Sequence, residues 1–117
     1  MNEVSGSGST AEEQRKQLVE LFLQRTLEDV EHMRRSVPQL IAADQAAWQE
    51  LRFAARRAGG MAKTLELGLL AACAKELVAL ADEKFAGKPL DAPFLLAVTS
   101  AIEVVGIELE RLAKESP

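Results

Sequence analysis

Residues 51–67 read Leu-Arg-Phe-Ala-Ala-Arg-Arg-Ala-Gly-Gly-Met-Ala-Lys-Thr-Leu-Glu-Leu. Leu51, Ala55, Ala58, Ala62 and Leu65 recur at steps of three and four, the spacing of one face of an α-helix. Two adjacent glycines, Gly59 and Gly60, stand within that pattern. Each costs a helix interior about 1 kcal/mol relative to alanine. On a helical wheel Arg52, Arg56, Gly59 and Lys63 fall on one line, with Arg57 and Gly60 flanking it. The apolar stripe lies on another side. The glycines are therefore expected on or beside the solvent face, where they flatten a surface ringed by cations that an acidic partner can approach closely. A helix break at the glycine pair is the alternative the spacing leaves open.

Outward from this stretch the pattern remains helical. Towards the N-terminus, Asp44 is positioned as an N-cap, and Trp48 begins the apolar stripe and is expected to cover one end of the core. Before it, Leu27, Val30, Met33, Val37, Leu40 and Ile41 mark another helix, which Pro38 should kink or break near residues 34–37. Thr10 and Glu13 form a capping-box pattern ahead of a first, short helix with Leu18, Leu21 and Phe22 on its apolar face. Thr26 and Asp29 repeat the cap more weakly, so a second helix is expected to begin there. Towards the C-terminus, Leu67, Leu70, Cys73, Ala74, Leu77 and Ala81 share a face, either continuous with the preceding helix or separated from it by a bend near Gly68. Residues 86–93 hold Gly87, Pro89 and Pro93 and read as a loop. Asp91 then caps a last helix with the stripe Phe94, Val98, Ala101, Val105, Ile107, Leu109 and Leu112. No alternating strand pattern survives. The expected fold is all-α, an antiparallel four-helix bundle with an additional short N-terminal helix.

Composition bounds the function. The 117 residues suit one domain with its own core, assigned to residues 10–117. Residues 1–9, which contain Ser-Gly-Ser-Gly-Ser, read as a flexible linker or an appended, non-native tail. Eighteen acidic and fourteen basic residues give a net charge of −4, which argues against a nucleic-acid partner. No apolar run approaches the roughly 20 residues of a membrane span, and no signal peptide is visible. One cysteine permits no internal disulfide, consistent with a cytoplasmic setting. One cysteine and one histidine cannot furnish a four-ligand zinc site, so no metal and no cofactor is expected. No phosphate-binding loop, zinc-protease helix or nucleophile elbow occurs.

The segment 46–81, from Ala46 through Trp48 and Gly60 to Ala81, resembles the histidine-containing phosphotransfer (HPt) domain. That family places a Trp or other apolar residue eight positions before a His, followed by H-x-L-K-G-S, a Leu-Gly pair and spaced leucines. Trp48, Leu51 and Ala55 take the early positions, Gly60 the family glycine, and Leu65, Leu67, Leu70 and Leu77 the later apolar ones. Phe22, within the stretch 20–33, and the turn at Asp44 are also in register, so the resemblance spans about residues 15–112. It departs at the chemistry. Arg56 stands at the phosphoacceptor His, Ala58 at the Leu, Gly59 at the Lys, Met61 at the small hydroxyl residue and Glu66 at the later Gly. Arginine stays protonated and offers no lone pair, whereas neutral histidine does.

The resemblance implies a four-helix bundle of HPt type in a bacterial two-component phosphorelay, with a response-regulator receiver domain or a sensor histidine kinase as partner. Without the acceptor, the chain is expected to bind and not to catalyse. Arg56 would enter the receiver's acidic pocket, with Arg52, Arg57, Gly59, Gly60 and Lys63 forming the surrounding contact. The alternatives are a structural or oligomerisation bundle, with homodimer contacts, and a phosphotransfer protein using an atypical acceptor. The only histidine, His32, lies among Glu28, Asp29 and Glu31 and reads as a solvated surface residue. Cys73 reads as a small core residue, Met33 and Met61 as gap-fillers, and Glu108 and Glu110 as a solvated face.

Overall fold

The structure is a computed structural model that describes residues 10–115; the expected linker at residues 1–9 lies outside them. Five helices follow in order: α1 (Ala11–Arg35), α2 (Val37–Ile41), α3 (Gln45–Thr64), α4 (Gly68–Phe85) and α5 (Ala92–Glu115). No strand occurs among the described residues. Three of the helix starts rest on local caps. Thr10 Oγ1 accepts from Glu13 N at 3.1 Å, Asp44 Oδ1 from Ala46 N at 2.9 Å, and Asp91 Oδ1 from Phe94 N at 3.0 Å. Each supplies an acceptor to a backbone donor that has no partner inside its own helix.

Residues 10–35 differ from expectation. Among the described residues there is no short N-terminal helix and no new start at Thr26; α1 runs unbroken for 25 residues. Thr26 is buried, and its hydroxyl donates to the Phe22 carbonyl at 2.7 Å, within the helix. Leu23, Thr26, Val30 and Met33 form one buried stripe across the expected junction, and that continuity outweighs a weak cap signal. The short helix is instead α2. The chain breaks at Ser36, and Pro38 sits in the first turn of the five-residue helix that follows, where its missing N–H costs nothing. Ala43, at φ +61°, then reverses the chain into Asp44.

α3 and α4 are two helices joined by Leu65–Leu67, with Glu66 at φ +61°. This short connection makes them antiparallel neighbours, and they form the closest-packed pair in the molecule. α4 packs next on α5 and α5 on α1, while α1 and α3 touch only sparsely. Trp48, fully buried, closes the core where α2, α3 and α5 meet. Its ring stacks on Phe94 at 6.2 Å, and its Nε1 donates to the Leu40 carbonyl at 3.0 Å.

Several apolar residues expected inside lie outside: Leu18, Leu21, Leu27, Ile41, Met61 and Ile107 are all exposed. Ile107 misses the core because the inward face of α5 runs through Phe94, Val98, Ala101, Ile102, Val105, Gly106, Glu108 and Leu109. Glu108, expected on a solvated face, is 5% exposed. Arg111 one turn on caps it, Nε donating to Glu108 Oε1 at 2.8 Å, so the carboxylate enters the interior already paired. By length and composition alone α5 is apolar enough to cross a membrane, contrary to expectation. In this fold Phe94, Val98, Ile102, Val105 and Leu109 of that helix turn inward and build the core.

Candidate docking site

Small residues let α3 and α4 approach. A β-carbon built on Gly59 would meet the Ala74 Cβ at 3.4 Å. Gly59 therefore belongs to the helix–helix contact and not to the open solvent face on or beside which both glycines were expected. Gly60 differs: it is exposed, with nothing within 4 Å of a would-be Cβ. Between the two helices runs a surface groove of about 470 Å³. Its floor is Gly59 and Gly60 from α3 with Ala71 and Ala72 from α4, and its rim carries Arg56, Lys63 and Lys75. All three cations are exposed. None enters an ion pair among the described residues.

Four of the six residues expected at the site, Arg56, Gly59, Gly60 and Lys63, share this groove. Arg52 lies one turn away, in an adjoining hollow that also involves Arg56 and Phe53. Its guanidinium is already engaged, 3.3 Å from Asp82 Oδ1 and 5.1 Å above the Phe85 ring. Arg57 leaves the site. One residue is about 100° of helix rotation, and that turns Arg57 towards α1, where its Nη2 donates to Asp29 Oδ2 at 2.8 Å. Its guanidinium also lies 5.4 Å over the exposed Phe53 ring.

Sequence reading missed Lys75 and the alanines beside it, because α4 had been read only for its buried face. A signal existed. In a helical hairpin, positions at about the same distance from the turn come together, as Gly59, six residues before Leu65, and Ala74, seven after Leu67, do here. That pairing would have set Lys75 beside the arginine line.

Chemically the groove can attract anions. Arginine and lysine are donors here, and guanidinium matches carboxylate or phosphate oxygens in pairs. His32 is exposed on α1, with its Nε2 3.4 Å from Glu50 Oε1, and it lines a different and far smaller hollow. Cys73 is half-buried, and burial, reinforced by the Glu108 charge, pushes its thiol above the ordinary value. That keeps it protonated and poorly nucleophilic. No cluster of three or more potential metal-ligating side chains occurs among the described residues. No family model, curated protein or solved structure matches this chain.

Proposed function

We propose that the chain is a non-catalytic HPt-like docking module of a bacterial two-component phosphorelay. In this reading α1, α3, α4 and α5 correspond to the four helices of an HPt bundle, and α2 to a connecting turn. The observation that carries the proposal is Arg56. It is an exposed guanidinium on the α3–α4 groove, at the position where the resemblance places the phosphoacceptor His, with Lys63 and Lys75 on the same rim. A receiver domain offers an acidic pocket, and Arg56 enters it in place of the imidazole. The small floor of Gly59, Gly60, Ala71 and Ala72 lets the partner's backbone come close. Because a guanidinium cannot accept a phosphoryl group, the module occupies the receiver and excludes the true donor. A sensor histidine kinase is the other partner of this class, and the setting is cytoplasmic.

The test is titration of a cognate receiver against wild type and Arg56→Ala. Loss of a buried, charge-assisted contact should weaken binding at least tenfold, about 1.4 kcal/mol. Unchanged affinity removes Arg56 from the interface. Incubation with a phosphorylated receiver should leave no acid-labile label on the chain; a label on His32 would restore the phosphotransfer reading. A structural or oligomerisation bundle is the second reading, favoured by Leu96, Val104 and Ile107, exposed on the outward side of α5. Sedimentation velocity that shows a dimer broken by Ile107→Lys would establish it.

A further inference from the structure

α3 has a second groove on its opposite flank. α1 is held chiefly by α5, where Arg34 donates to both carboxylate oxygens of Glu103, at 2.9 and 3.0 Å, and Val30 lies against Gly106. It touches α3 sparsely: His32 faces Glu50 near one end of the seam, Arg57 pairs with Asp29 further along, and the Arg15 guanidinium donates to the Leu65 carbonyl just past α3. Between the last two contacts the helices stand apart, leaving a groove of about 470 Å³. Ala58 and Thr26 are too small to fill it. Leu18, Leu21 and Met61 line it while remaining 58%, 64% and 46% exposed.

We infer that this groove docks an acidic amphipathic helix of a partner protein, independently of the α3–α4 face. Size, apolarity and charge each point to that occupant. The lining extends from Leu18 to Asp29, about 16 Å or three turns at 1.5 Å per residue, which matches a helix presenting apolar anchors at i, i+3 or i+4, and i+7. Leu18, Leu21, Phe22 and Met61 supply the apolar wall those anchors need. The lining carries Arg25 and Arg57 against Asp29 alone. Arg57 and Asp29 pair with each other, and among the described residues Arg25 enters no ion pair, which leaves the lining a net cation on a chain of net charge −4. Acidic residues flanking the partner's apolar face complement it.

The probe is a fluorescein-labelled 14-residue helical peptide with Leu at i, i+3 and i+7 and Glu on both flanks, followed by anisotropy. Saturable binding should weaken at least tenfold in the double variant Leu18→Gln/Leu21→Gln and several-fold in Arg25→Glu. Both leave the buried core untouched, and circular dichroism should confirm an unchanged fold. Ala58→Leu, which fills the groove from α3, should abolish binding, whereas Arg56→Ala should leave it unaltered, separating this surface from the receiver-docking proposal. The inference is overturned if the peptide does not bind saturably, if a Lys-flanked version binds equally well, or if the double glutamine variant binds as wild type. It is also overturned if sedimentation shows a wild-type dimer that this double variant dissociates, which would make a second copy the occupant.

Discussion

The two flanks of α3 carry surface grooves of the same volume with opposite characters. Towards α4 the helices close until a glycine meets an alanine at β-carbon contact, and only a shallow, cation-rimmed surface is left. Towards α1 the helices part, and large apolar side chains line the opening. Covalent constraint and residue size together explain the contrast. A three-residue connection forces α3 and α4 side by side, and small side chains shorten their separation. α1 reaches α3 only through α2 and its turns, and its buried stripe of Leu23, Val30 and Met33 is committed to the core. Closeness leaves a surface of small residues edged by cations; separation leaves an opening lined by large apolar side chains.

That contrast can be broken or sharpened by mutation. The largest effect removes the frame on which both flanks rest. Trp48→Ala deletes a fully buried ring stacked on Phe94 and leaves the Leu40 carbonyl only the Ala43 N–H as donor. It should cost about 3–5 kcal/mol in urea unfolding. Next, a bulky residue should distinguish the closed seam from the open one. Ala74→Leu overpacks the α3–α4 contact and should lose about 1–3 kcal/mol. Ala58 is also buried but borders the open groove, so Ala58→Leu has room to extend and should cost clearly less than Ala74→Leu. Equal losses from the two would contradict the difference between the seams.

A smaller pair of changes separates the adjacent glycines. Gly60→Ala meets no neighbour and should stabilise the chain by about 1 kcal/mol, while its methyl group obstructs the proposed receiver surface. Gly59→Ala places its Cβ 3.4 Å from that of Ala74, so its gain should be smaller, as thermal unfolding would show.

The smallest effect is acid titration at the α1–α5 contact. Hydrogen bonding from Arg34 holds the Glu103 carboxyl below its ordinary value of 4.5, against a lesser opposing effect of burial. A depressed folded-state pKa stabilises above the unfolded value, and the contribution is lost as pH falls through the folded one. The pair is largely solvent-exposed, so the loss is slight. Melting temperature should decline gently from about pH 4.5 downward, less so in Glu103→Gln.

Features settled within one turn of chain were legible in advance. Thr10, Asp44 and Asp91 cap as read, because a cap needs only its own helix's first N–H groups. The break ahead of Pro38 was legible for the same reason. The joint expected at Thr26 failed because a side chain able to cap can equally bond back within a continuing helix. Helical spacing set Arg56, Gly59, Gly60 and Lys63 on one surface, and all four line the α3–α4 groove, since they lie on one helix. It overextended to Arg57, whose direction is set by Asp29 on another helix, and it could not supply Lys75.

The sequence by itself determined the helices, most of their ends and the single line of arginine, glycine and lysine on the third. Those follow from periodicity and short-range hydrogen bonding, which act along the chain. Only the tertiary structure decided which apolar faces would be covered. Leu18 and Leu21 carry the same hydrophobic signal as Leu23, yet Leu23 is buried and they are not. Burial depends on the distance to a neighbouring helix, and that distance is set by small residues and connections elsewhere in the chain.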